Sequence, residues 1–462
     1  MKKYYKILVE INFNGGGNIL EKIKIKSLLS LTIPIFLELL LVNIVGNIDT
    51  IMLGKYSDKA VGAVGGISQV LNIQNVIFGF ISLGTSILIA QYIGARNTRK
   101  IREVISVSIF LNICLGIIMG LIYLIFWKLI LIKIKLPLEL MEMGKTYFKL
   151  VGGLCVFQAV TLTCGAIMKS HGNPKPMLFV NIGVNLINIL GNGMFIFGWF
   201  GMPILGTTGV GISTVFSRGI GCIVGVIVMM RYCKFRFKKQ YLQPFPFHVI
   251  KNLLAIGIPT AGENLAWNIG QLMILAMVNA LGTNFIASRT YLMLIATFVM
   301  TFSISLGHAT AIQVGQLVGA HETEEAYNKC FKSLKLSIIL AFSVTTIIAL
   351  FKNQVMSLFT NDAAILEISL KVFPIMIILE VGRVFNIVII NSLHAAGDIQ
   401  FPMFMGIIFI FIVAVPFSYI LGIKLGWGLV GIWIANAADE WFRGIAMYLR
   451  WKSKKWVTKS FV

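Results

Sequence analysis

The chain has 462 residues, 57% of them hydrophobic and only 13% charged, with a mean hydropathy of +0.86 and a formal net charge of +22. A soluble globular chain carries roughly a quarter charged residues, so this composition excludes a water-soluble fold and calls for surface that faces lipid. There is no Gly-x-x-x-x-Gly-Lys-Ser/Thr stretch to cradle a nucleotide phosphate, which argues against ATP as the energy source.

Residues 1–26 form an expected cytoplasmic tail, rich in Lys and Tyr, with Gly15-Gly16-Gly17 as a flexible element and no apolar core of signal-peptide length. Twelve apolar runs follow, at roughly 27–53, 62–94, 103–132, 144–168, 176–198, 204–230, 248–280, 286–318, 332–353, 364–395, 401–423 and 428–449. Each is long enough to cross about 30 Å of hydrocarbon as a helix. Backbone polar groups need internal partners there, so helices or closed barrels are the options. The runs are too long and too uniformly apolar for barrel strands, and the fold class is all-α and polytopic.

An ionisable side chain at mid-bilayer costs about 3 kcal/mol on insertion scales, so each one in a span needs a partner or a task. The first span carries Glu38, four residues after Pro34, and Asp49, near its outer end in Gly46-Asn-Ile-Asp-Thr-Ile-Met-Leu-Gly54. Asp49 has no basic neighbour within one turn, so it would take up a proton or be neutralised by a cation; an aqueous helix end is the bland alternative. The fourth span holds Gln158. In the fifth, Asn181, Asn185, Asn188 and Asn192 recur at spacings of four and three, which puts them on one helical stripe. Amide oxygens are neutral hard ligands suited to a cation beside one carboxylate, and they equally serve as interhelical glue. The cysteines (Cys114, Cys155, Cys164, Cys222, Cys233, Cys330) lack metal-ligand spacing and read as small apolar fillers.

At the seventh span the chain begins again. Lys26 to Pro34 lines up with Lys251 to Pro259 at a shift of 225 positions; at that shift Glu38 meets Glu263, Asn43 meets Asn268, and Gln91, Gly94 and Ala95 meet Gln316, Gly319 and Ala320. The register holds at Gly172 and Gly397, then slips by one before Pro176 and Pro402. A duplicated apolar half-chain in parallel orientation is how many carriers build two lobes around a central site. Glu38 and Glu263 therefore face either the cavity or basic residues at the cytoplasmic rim. His308, alone in the eighth span, reads as a packing residue. In the tenth span Glu380 and Arg383 are i, i+3 neighbours that neutralise one another, and Arg383 takes the place that Gln158 has in the first half. Asp439, Glu440 and Arg443 in the twelfth span can likewise satisfy themselves.

Of the 40 Lys and Arg residues, 26 fall in the tails and alternate loops assigned to the cytoplasm, 11 fall on the other side, and Arg218, Arg383 and Arg443 lie within spans. This bias fits the positive-inside rule with both termini cytoplasmic. The net charge thus reports topology and attraction to anionic lipid, and no nucleic-acid partner is expected. The expected organisation is a tail (1–26), an N-lobe (27–231), a cytoplasmic linker (232–247), a C-lobe (248–449) and a second tail (450–462).

With those residues in view, the chain resembles a bacterial member of the multidrug and toxic compound extrusion (MATE) family. Ile48-Asp49-Thr50-Ile51-Met52-Leu53-Gly54 with Ala60-Val61-Gly62-Ala63 is similar to the family's first-span signature. Gln91-x-x-Gly94-Ala95 and Gln316-x-x-Gly319-Ala320 are similar to the ends of its second and eighth spans. Asn188-Ile-Leu-Gly-Asn192 with Phe195-Ile-Phe-Gly198, then Gly206-x-x-Gly209 running on to Thr214 and Arg218, resemble its fifth and sixth. The resemblance implies two six-helix lobes around a central cavity, and export of cationic or amphipathic compounds in exchange for sodium or protons by alternating access. It carries a cation-coupling site onto Asp49, Asn188, Asn192 and Thr214, with Asp49, Asn188 and Asn192 as sodium ligands if sodium is the ion. No cofactor beyond that ion is implied.

The second lobe departs from the pattern. Some members have a glutamate two turns past the seventh-span proline, where this chain has Glu263 one turn past it, and an aspartate where this chain has Arg383. Glu38, Gln158, Glu263, Glu380 and Arg383 are candidate cavity residues. The expected setting is a bacterial inner membrane, with the protein acting as a monomer. A lipid-linked oligosaccharide flippase of the same superfamily is the alternative function, one that would want a more basic cavity. A membrane-embedded enzyme would need a His, Ser or metal constellation, which the chain's five scattered histidines do not suggest.

Overall fold

The computed structural model describes residues 26–462, apart from the side chains of residues 43–47. The tail expected over 1–26 therefore lies almost wholly outside the described residues, and so does the side chain of Asn43. Helices make up nearly all of the rest, and no strand occurs among the described residues.

The N-lobe comprises α1 (Leu28–Gly54), α2 (Asp58–Gly94), α3 (Thr98–Lys133), α4 (Leu138–Gly153), α5 (Val156–Ser170), α6 (Lys175–Phe197) and α7 (Thr207–Tyr232). The C-lobe comprises α8 (Phe247–Leu281), α9 (Thr283–Gly319), α10 (Thr323–Leu350), two short helices, α11 (Lys352–Ser357) and α12 (Ala363–Leu370), and α13 (Phe373–Ala396). It ends with α14 (Gln400–Phe409), the single turn α15 (Val415–Phe417) and α16 (Gly428–Lys452). Stretches of π-helix, Ile410–Ala414 and Ser418–Lys424, join α14 to α15 and extend it, so that 400–424 is one span. Twelve spans result, in two six-span halves.

Three departures from straight helices have local causes. The fourth span is two helices, α4 and α5, bent by 45°. The break follows Gly152-Gly153, where α3 comes so close that a Cβ on Gly120 would lie 2.4 Å from the Gly153 carbonyl oxygen. A glycine pair at such a contact is a common site of kinking. The tenth span is preceded by the separate turn α12. In the eleventh, Pro416 has no N–H to donate, and the hydrogen-bond ladder on either side widens to the π spacing.

The lobes meet through α1 with α9 and α2 with α8, pairs related by the 225-residue shift. Leu28, Leu31 and Ile35 pack with Leu306, Ala309 and Ile312, and a Cβ on Gly84 would touch Leu253. At the end of the bundle that carries Lys26 and the C-terminal residues, the basic end, α2 and α9 cross with reciprocal contacts. Gln91 Nε2 donates to the Ala395 carbonyl at 2.8 Å, and Gln316 Nε2 donates to the Ser170 carbonyl at 3.0 Å. A Cβ on Gly94 would sit 2.0 Å from the Gln316 carbonyl oxygen, and one on Gly319 would sit 1.8 Å from that of Gln91. Only glycine fits either position. The chain's last residues close over this seam. The Phe461 N–H donates to Gln91 Oε1 at 2.8 Å, and the Lys459 carbonyl lies against Gly397, whose positive φ of 94° already favours glycine. Trp456 anchors the segment by stacking on Trp451 at 4.1 Å.

Candidate functional site

Asp49 lies on the last turns of α1, facing α6 rather than lipid. Asn192 Nδ2 donates to Asp49 Oδ1 at 2.7 Å. Asn192 is fully buried, and its Oδ1 has no hydrogen-bond partner among the described residues. One turn back, Asn188 Nδ2 donates to Thr214 Oγ1 at 3.3 Å and to Ser213 Oγ at 3.4 Å, while Ser213 Oγ donates to the Asn188 carbonyl at 2.8 Å. This polar seam depends on Gly191, because a Cβ there would lie 2.3 Å from Ser213 Oγ. Asn181 and Asn185 are only partly buried, so the stripe of four splits and its outer half joins the cluster.

No basic nitrogen lies within ion-pair distance of Asp49 among the described residues. Arg218, one turn beyond Thr214 on α7, is nonetheless among its electrostatic neighbours, as is Tyr147 from α4. That Arg218 stands near Asp49 cannot be read from spacing, because the proximity arises only when α7 packs beside α1 and α6. The arrangement offers an ion one carboxylate, one unused amide oxygen and nearby hydroxyls. That donor set suits a hard monovalent cation or a proton. No group of three His, Cys, Asp or Glu side chains able to hold a metal occurs among the described residues.

Glu38 and Glu263 stand elsewhere. Lys169 Nζ, on α5, donates to Glu38 Oε1 at 2.9 Å, and both side chains are largely buried, at 23% and 12% exposed. His394 Nε2, on α13, stands 3.8 Å from Glu263 Oε2. Positions 169 and 394 are themselves 225 apart, so each lobe carries the same acid–base pairing, with lysine in one copy and histidine in the other. Gln158 is half-buried on α5.

The remaining charges gather in the C-lobe around a small cavity between α8, α9, α13, the α14 span and α16. Arg383 Nη1 donates to Glu380 Oε1 at 2.5 Å, and its Nε lies 3.5 Å from Glu440 Oε1. Arg443 Nη2 donates to Asp439 Oδ2 at 2.6 Å and lies 3.3 Å from Glu440 Oε1. Asn386 Nδ2 donates to Glu440 Oε2 at 2.9 Å. The local pairs expected from spacing are present, and Glu440 joins them into one network across α13 and α16.

Comparison with known proteins gives a consistent picture. The MatE family model matches residues 34–194 and again 259–420, once in each half. An uncharacterized transporter of Bacillus subtilis, YisQ, is 39% identical over 435 residues, covering 94% of this chain and 95% of its own length. The probable multidrug resistance protein NorM of Thermotoga maritima is 28% identical, with 93% of each chain covered. Among solved structures, a MATE protein in its bent conformation superposes with a TM-score of 0.82 at 19% identity, over 93% of this chain and 95% of the other.

Proposed function

The chain belongs to the MatE family of multidrug efflux transporters, and on that premise we propose that it is an antiporter. It exports cationic, amphipathic compounds in exchange for sodium or protons by alternating access between its two lobes. The observation that carries the coupling is the Asp49–Asn192 hydrogen bond beside the unused Asn192 Oδ1. From outside, the entering ion neutralises Asp49 and draws on the oxygens of Asn188, Asn192 and Thr214. The hydrogen bonds among α1, α6 and α7 then rearrange and the bound compound is released. With the basic end taken as cytoplasmic, reopening of the α2–α9 crossing admits new substrate from the cytoplasm or inner leaflet. To swing the two states from 1:99 to 99:1, the ion must favour one of them by about 5.5 kcal/mol. A single carboxylate in a low-dielectric lobe can supply that if it is bare in one state and matched in the other.

Sodium is the favoured ion, since neutral Asn192 stands where a second carboxylate would favour proton exchange. The test is export of a fluorescent organic cation from cells expressing the chain, with sodium present or absent. Asp49→Asn should abolish export while leaving membrane expression unchanged; undiminished export by that variant would refute the coupling role. Transport driven by a pH gradient in sodium-free proteoliposomes would assign the proton instead.

A further inference from the structure

The C-lobe cavity is the counterpart of the Asp49 site, with its cation ligands removed. Ile274, 225 positions after Asp49, lines it, and so does Ala414, which follows Asn188 at the 226-residue register of Pro176 and Pro402. Neither side chain can bind an ion. Guanidinium groups line the same space instead: Arg383 and Arg443, both committed to carboxylates as described, and Arg289, two turns into α9.

Arg289 has no carboxylate within ion-pair distance among the described residues. The hydrogen bond recorded for it is a long one, Nη2 to Gln271 Oε1 at 3.4 Å. Trp433 Nε1 and Arg443 Nε are buried and have no hydrogen-bond partner among the described residues, but neither nitrogen is open to the cavity. Asp439 Oδ1 and Glu380 Oε2 are unfilled acceptors, but their carboxylates already sit on Arg443 and Arg383. A guanidinium fork matches a carboxylate in geometry and charge. The rest of the wall, with Trp267, Met293, Met300 and Leu379, is apolar and adaptable, suited to an aromatic body.

We propose that this cavity binds aromatic amphipaths bearing a carboxylate, with the Arg289 guanidinium holding the carboxylate. The site is separate from Asp49 and has the opposite charge preference, so one chain would recognise organic cations and organic anions in different lobes.

The test uses the purified full-length transporter in lipid nanodiscs, titrated with 1-pyrenebutyrate or its neutral amide. Binding is read from energy transfer out of tryptophan, against empty discs. The acid should bind at least about tenfold more tightly than the amide, as expected for a charge-assisted pair. Arg289→Gln should bring the acid down to the level of the amide while leaving the amide unchanged. Asp49→Asn should leave the acid's advantage intact, so failure of the export mechanism and failure of this site are distinguishable. Equal binding of acid and amide by the unaltered protein overturns the proposal without any variant, and so does an undiminished acid preference in Arg289→Gln.

Discussion

At the scale of single residues, the chain repeats one device and varies it. Glu38–Lys169 and Glu263–His394 occupy equivalent places in the two lobes, and the lysine copy carries a permanent charge where the histidine copy need not. Removing one partner of a largely buried pair strands the other, at roughly 3–5 kcal/mol. Lys169→Met should therefore lower the thermal midpoint in detergent, and Glu38→Gln added to it should recover most of the loss. A double variant no more stable than the single one would show that Lys169 matters for packing alone. Asp49 and Asn192 could be singled out from sequence because spacing along one helix exposes an unpaired acid and a line of amides. Arg218 and Arg289 could not be placed in that way. Arg289 counts among the outer-side charges when loops are scored, and only the packing of α9 against α8 and α16 turns it toward a cavity.

At the scale of helices, the Gln-x-x-Gly-Ala segments stand out in the sequence as a repeated pattern, but their purpose lies in the partner copy. Each glycine receives the backbone of the other segment, and each glutamine reaches a carbonyl in the opposite lobe. Gly319→Ala would put a methyl 1.8 Å from a main-chain oxygen, a contact that no side-chain rotation relieves. We expect that variant to lose most export and to leave a cysteine placed near residue 94 more accessible to a water-soluble maleimide. Unchanged labelling would mean that the crossing tolerates separation. The breaks in the fourth and eleventh spans were less legible. Hydropathy sees a continuous apolar run across Gly152-Gly153 and across Pro416, whereas the kink and the π stretches arise from neighbour contact and a missing N–H.

At the scale of the molecule, twelve spans in two related halves follow from composition and from the internal repeat. The last span is the instructive one, because Asp439, Glu440 and Arg443 lower its hydropathy, and their charges are met by one another and by Arg383 and Asn386. How the halves dock was not legible, since a repeat establishes likeness and leaves the interface open. In the structure α2 and α9 cross so closely that a Cβ on Gly315 would lie 3.0 Å from that of Ala90, near the roughly 3.5–4.5 Å spacing of a disulfide. Ala90→Cys with Gly315→Cys, in a background with the native thiols replaced, should oxidise readily, stop export, and regain it on reduction. Export that persists with the bond formed would mean that the crossing stays shut throughout the cycle.

The placement of Phe461 and Lys459 has a practical corollary for anyone handling this transporter. A purification handle or fluorescent reporter fused after Val462 begins one residue from a main-chain contact with Gln91, so its bulk must emerge where the two halves press together. Such fusions should export more slowly than the untagged chain, and a protease site that trims the handle back to Val462 should restore the rate.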